Sequence, residues 1–167
     1  VVLYTVFAAV MGQWAARPDF CLNITVFNRE SENPAIQHVV GDFTTTMLSA
    51  ARKMRPLERF VDYARELDAR FWQDVEHSAY SGIKVLQDIS ERQRRPVLMP
   101  IVFTSALGAG DVGEILDTNN GVFGKPAYTI TQTPQIWLDH QVLEEDGRLV
   151  FNWDVVEGIF DEVLQNA

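Results

Sequence analysis

The chain has 167 residues, 47% of them hydrophobic, 11% aromatic and 22% charged, with a formal net charge of −9. That length suits one domain or part of a larger one, and this apolar content excludes disordered, collagenous and low-complexity classes. A lone cysteine, Cys21, excludes an internal disulfide or a multi-cysteine zinc site built from this chain alone. The acidic excess is concentrated in residues 139–167, which hold eight carboxylates against one cation, Arg148. That sign argues against a nucleic-acid partner, whose phosphates call for Lys and Arg gathered on one face.

Residues 1–16 carry no charge. They fall short of the roughly 20 apolar residues a bilayer needs, and they lack the basic flank and cleavage site of a signal peptide. The expectation is a cytoplasmic chain with no membrane partner. No initiator Met is present and the chain opens inside a helical pattern, so a fragment is expected.

Val2, Leu3, Val6, Phe7, Val10 and Trp14 recur at helical spacing, predicting a mostly buried helix that ends at Arg17-Pro18-Asp19. Residues 20–27 then alternate with period two, with Phe20, Leu22, Ile24 and Val26 on one face of a strand. Asn23-Ile24-Thr25 matches a glycosylation sequon, but a mid-strand position makes it a chance match. A threonine-rich strand is expected over 42–48. Pro56 is expected to open an amphipathic helix whose stripe is Leu57, Phe60, Val61, Ala64, Leu67, Phe71 and Val75. A further helix is expected over 83–93, with Arg92, Arg94 and Arg95 complementing the negative end of its dipole and Pro96 as the stop.

Residues 97–105 form an apolar, β-branched run, predicting a buried strand. The glycine-rich stretch 106–125 reads as a long loop, of the kind that tends to be functional. Strands are expected over 128–133 and 135–143, broken at Pro134, and 144–148 carries the Asp-Gly signal of a hairpin. A strand over 149–153 follows, and Asp154 is expected to cap a final helix with Val156, Ile159, Phe160, Val163 and Leu164 in one stripe. This order predicts an α/β or α+β layered domain, a mixed β-sheet covered by helices.

Phosphate-binding glycine loops, zinc-protease helices and serine-nucleophile elbows are all missing, and His38, His77 and His140 are too scattered for a metal triad. Two segments break local rules. The strand ending in Thr104-Ser105 places two hydroxyls before the glycine-rich loop, although threonine there is by itself an ordinary β-former. Alternation also sets Gln135, Trp137, Asp139 and Gln141 on one face against Ile136, Leu138, His140 and Val142. An aspartate among apolar neighbours is costly to bury ionised unless it is hydrogen-bonded; the plainer alternative is the wet face of an edge strand.

Residues 20–29 (FCLNITVFNR), 41–44 (GDFT), 100–108 (PIVFTSALG), 132–141 (QTPQIWLDHQ) and 152–154 (NWD) occur in that order. This series resembles the C-terminal half of the heterocyclization domains of nonribosomal peptide synthetases, across essentially the whole chain. The resemblance implies a chloramphenicol-acetyltransferase-like lobe, with residues 1–167 as the C-terminal lobe and the N-terminal lobe, including the family's paired aspartates, absent. It implies joining of a carrier-bound acyl or peptidyl thioester to a carrier-bound Cys, Ser or Thr, then cyclodehydration to a thiazoline or oxazoline.

On that pattern Thr104 and Asp139 serve cyclodehydration. Gln141, Ser105, Gln132, Gln135 and Trp137 are the expected substrate-binding residues: Gln141, on the predicted face of Asp139, is placed to orient the amide carbonyl, and Gln135 and Trp137 share that face, with Trp137 as a wall. The expected partners are peptidyl carrier domains with phosphopantetheine arms, the missing lobe and an adjacent adenylation domain. No metal and no cofactor bound by this chain itself is implied. The rival reading is a catalytically incomplete half that docks a carrier protein, supported by the Arg92/Arg94/Arg95 cluster; an acyltransferase lobe from outside peptide synthesis is a third.

Overall fold

The structure, a computed structural model, describes residues 1–27, 34–107, 128, 133–145 and 147–160, the Gln37 side chain apart. Contacts divide the chain into two compact units, Val1–Met99 and Pro100–Ala167.

In the first unit, helix α1 (Val2–Trp14) is followed by strand β1 (Asp19–Phe27), a 3-10 turn (Pro34–His38) and strand β2 (Thr44–Arg52). Helices α2 (Phe60–Glu76) and α3 (Gly82–Gln93) complete it. The two strands pair antiparallel from Asp19↔Arg52 to Phe27↔Thr44, and all three helices pack on β2. The core joins Tyr4, Phe7 and Ala8 of α1 to Leu22 and Ile24 of β1, Met47 and Ala51 of β2, and Tyr63 and Leu67 of α2. The buried Tyr4 hydroxyl donates to Ser49 at 3.0 Å, and Ser49 donates to Asp74 at 2.8 Å. Burial raises the Tyr4 phenol to about 12 and the Cys21 thiol to about 11, so neither is a ready nucleophile.

Several boundaries differ from expectation. Helix α1 buries Tyr4, Thr5, Phe7, Ala8 and Gly12, whereas Val2, Val6 and Trp14 of the expected stripe are exposed. A helix apolar nearly all round has no polar arc to fix its facing, so the Tyr4–Ser49 bond helps set it. Strand β2 starts later and runs further than the threonines suggest, because Asp42 accepts the Thr44 backbone N–H at 2.8 Å and pairing with β1 continues to Arg52. Pro56 does not open α2, which begins at Phe60. Leu57 instead lies fully exposed at φ 64°, in a turn fastened by Glu58, which accepts the Arg55 N–H at 2.8 Å.

Helix α3 starts on its Ser81 cap and closes through Arg94, whose left-handed φ of 52° turns its N–H back to Glu91 and Ser90. That accounts for Arg94 as a helix terminator. Asn23 is buried mid-strand at 6% exposure, its amide oxygen without a hydrogen-bond partner among the described residues, a poor place for a glycan.

In the second unit, strand β3 (Ile101–Ser105) lies parallel to β4 (Leu138–Glu145), and β4 pairs antiparallel with β5 (Arg148–Val155). The β4–β5 hairpin turns through Gly147 at φ 69°, the conformation glycine tolerates best. Strand β3 is shorter than the apolar run 97–105, and β4 starts three residues later than alternation suggests. Gln135 at φ 68° and Pro134 form a turn there, which no continuous strand admits. Strand β5 runs on to Val155, so Asp154 is a strand residue and not a helix cap. Residues 129–132, 108–127 and 161–167 lie outside the described residues, and with them most of the expected strand over 128–133, the expected loop and the second half of the expected final helix. No helix among the described residues is long and apolar enough to cross a membrane.

Candidate active site

Strand β4 is flanked on both sides, so its polar face is not that of an edge. Parallel register sets Val102 opposite Asp139 and Thr104 opposite Gln141. Antiparallel register on the other side sets Asp154 opposite Asp139 and Asn152 opposite Gln141. Residues directly opposite share a face, so Thr104, Asp139, Gln141, Asn152 and Asp154 converge from three strands.

The Thr104 hydroxyl donates to Asp139 Oδ1 at 3.3 Å, and Gln141 Nε2 donates to Asp139 Oδ2 at 3.0 Å. Gln141 Nε2 also lies 3.4 Å from Asp154 Oδ2, while Asn152 Nδ2 donates to Gln141 Oε1 at 3.4 Å. Asp139 is only 9% exposed. A buried carboxylate costs free energy unless donors meet it, and here both of its oxygens have one. It borders a cavity of about 780 Å³ whose walls include Thr133, Pro134, Gln135, Asp154 and Glu157. The space suits a small organic group.

The opposite face carries an aromatic cluster around His140, in which Phe103 is buried and Phe151 is exposed. His140 sits 5.5 Å from Phe103, 5.9 Å from Phe151 and 5.9 Å from Trp153 by ring centroid. The Trp153 indole N–H donates to His140 Nδ1 at 2.5 Å, which assigns the imidazole proton to Nε2. Burial lowers the His140 pKa, with nearby Asp139 pulling the other way. This histidine is a neutral core group.

The expected site residues divide accordingly. Thr104, Asp139 and Gln141 come together, and Gln135 reaches the same cavity, though from a turn and not from the strand. Trp137, 40% exposed, precedes β4 and is not among the described residues lining that cavity. Ser105 is opposite Val142 and so lies on the aromatic face, away from Asp139. Gln132 lies outside the described residues. Asn152 and Asp154 were missed as site residues; the available signal was the Asn152-Trp153-Asp154 motif, whose alternation matches the Asp139–Gln141 face once the hairpin is closed. No group of three His, Cys, Asp or Glu able to hold a metal occurs among the described residues.

No protein-family model matches the chain. Pyochelin synthetase PchF of Pseudomonas aeruginosa strain UCBPP-PA14 is 41% identical over 157 residues, 93% of this chain and 8% of that protein. Phenyloxazoline synthase MbtB of Mycobacterium tuberculosis strain CDC 1551 / Oshkosh is 40% identical over 163 residues, 95% of this chain and 11% of that one. Among solved structures, the cyclization-docking bidomain of EpoB, a nonribosomal peptide synthetase from Sorangium cellulosum, matches with a TM-score of 0.79 and 35% identity. That match covers 99% of this chain and 33% of the bidomain. The chain thus spans only about a tenth of the curated relatives' length.

The fold is that of nonribosomal peptide synthetase condensation domains, a chloramphenicol-acetyltransferase-like α/β fold. Within that class, the chain belongs to the heterocyclization domains, an enzyme family, of which it is a part.

Proposed function

We propose that residues 1–167 form the C-terminal lobe of a heterocyclization domain, and that Thr104 and Asp139 serve ring closure and water loss in making a thiazoline or oxazoline. The substrates on this reading are a carrier-bound acyl or peptidyl thioester and a carrier-bound Cys, Ser or Thr, both on phosphopantetheine arms. Carrier and adenylation domains are the partners. The observation that carries the reading is a sheltered carboxylate with a hydroxyl 3.3 Å away, at the wall of a cavity of about 780 Å³.

Ring closure requires the thiol or hydroxyl of the newly joined residue to attack the preceding amide carbon. The carbon–sulfur or carbon–oxygen bond forms, the carbonyl π bond breaks, and the nucleophile's proton passes to Asp139, which returns it to the former carbonyl oxygen to give a cyclic hemiaminal. The N–H proton then passes by way of the same carboxyl to the hemiaminal hydroxyl, which leaves as water as the carbon–nitrogen double bond forms, and water is the only by-product. One carboxyl that alternates between base and acid serves both halves, and the Thr104 hydroxyl holds it in line.

Product mass analysis with the complete domain and both carriers loaded tests this. Asp139→Ala is expected to leave the open-chain amide, heavier than the parent product by one water. Thr104→Ala is expected to do the same more weakly, slowing ring formation about tenfold as one hydrogen bond to a charged group is lost. Loss of amide formation in step with loss of ring formation would overturn the assignment.

A further inference from the structure

We infer that Asp154, together with Asn152, is a positioning pair that aims Asp139 through the Gln141 side-chain amide. The inference rests on the functional reading of Asp139 given above. Asp139 and Asp154 are direct cross-strand neighbours on one face. Like charges so placed ordinarily repel, yet here the Gln141 –NH₂ lies between them, 3.0 Å from one carboxylate and 3.4 Å from the other. The two N–H bonds of the amide are thereby both directed to carboxylates, and its oxygen accepts from Asn152 at 3.4 Å.

The reverse orientation would set Gln141 Oε1 against two carboxylates, whereas Asn152, itself an amide, can meet either end. The carboxylates of Asp139 and Asp154 therefore select one amide orientation, and Asn152 Nδ2 donates to the oxygen it leaves. That orientation claims Asp139 Oδ2, and Thr104 claims Oδ1, so the plane of the carboxylate is fixed by Thr104 from β3 and by Gln141 of β4 itself, whose amide contacts Asn152 and Asp154 of β5. A proton shuttle depends on such alignment, because proton transfer falls away quickly once donor and acceptor are misdirected. Gln141 itself, expected to meet a substrate carbonyl, spends its amide on the protein. No covalent step is assigned to Asp154: the role inferred for it runs through its contact with Gln141 Nε2.

The test uses the complete domain with both carriers loaded, reading the ratio of open-chain amide to ring product by mass. Asp154→Ala is expected to raise that ratio about tenfold, the loss of one hydrogen bond to a charged acceptor. Asp154→Asn keeps an oxygen that accepts from Gln141 and is expected to restore most of the parent ratio. In Gln141→Ala, adding Asp154→Ala is expected to change nothing further, since the two act as one unit. A parent-like ratio for Asp154→Ala, or effects of the two substitutions that multiply, would overturn the inference while leaving Asp139 its role. If Asp139→Ala itself accumulates no amide, the functional reading falls and takes this one with it.

Discussion

His140 and Asp139 are adjacent, yet alternation sends them to chemically opposite worlds. Asp139 meets donors at the edge of a cavity, while His140 enters an aromatic layer in which Trp153 donates to its Nδ1. The imidazole is held below its usual value of 6.5 by burial, so the folded state binds fewer protons than the unfolded one as pH falls. Its contribution to stability is complete above about pH 6.5 and is lost as pH drops toward the lowered folded value. The urea midpoint of the domain is expected to fall between pH 7.5 and pH 5.5, and to fall less in His140→Gln, whose oxygen can still accept the indole N–H. Identical pH dependence in the two proteins would contradict a buried neutral histidine. Sequence showed that residues 139 and 140 face apart. It did not show where the imidazole would be buried, because Phe103 and Trp153, which lie against it, belong to the two flanking strands.

Arg52 illustrates how an ion-pair network can set where an element begins. It closes β2 at 8% exposure, with Nη2 2.6 Å from Glu58 Oε1 and 2.5 Å from Glu66 Oε2. The Tyr63 ring lies 5.0 Å from its guanidinium carbon, and the Tyr63 hydroxyl donates to the Arg52 carbonyl at 2.7 Å. These bonds tie the end of β2 to the turn before α2 and to α2's own first turns. Hydrophobic periodicity cannot see them, which is why Leu57 counts toward a stripe from which the turn removes it. Arg52→Met is expected to cost about 3 kcal/mol in chemical denaturation, since two carboxylates would be left facing each other without their cation. Arg52→Lys is not expected to recover this, because an ammonium lacks the planar fork that meets two carboxylates at once. The Arg52 side chain and the Arg55 N–H hold Glu58 down at about 2. The Glu58 contribution is therefore present above about pH 4.5 and lost as pH falls toward 2, a window separate from that of His140. An unchanged denaturation midpoint in Arg52→Met would show the clamp to be incidental.

The order of elements from α1 to β3, the hairpin at Gly147 and the polar face of 139–141 were legible from period, turn chemistry and capping, which are local signals, whereas the described residues after Val155 form turns and not the start of the expected final helix. The meeting of Thr104 with Asp139 was not, because it depends on a parallel pairing with a 37-residue offset, Val102 to Asp139, that no local pattern specifies. Family resemblance supplied that pair, and the structure supplied the reason that the pair sits on one face. It also brought Asp154 into the group, which local reasoning had assigned to a helix cap. A whole-chain consequence follows from the share of its relatives that this chain spans, 33% of the EpoB bidomain. If the chain is one lobe, it carries the proposed ring-closing carboxyl but cannot by itself present two carrier-bound thioesters to each other, and proximity supplies much of the rate in amide formation. Purified residues 1–167, mixed with both loaded carriers, are expected to give neither amide nor ring by mass analysis, whereas the complete domain gives ring. Ring product from residues 1–167 alone at the rate of the complete domain would show that the chain is no half-site, and the lobe assignment would have to be abandoned.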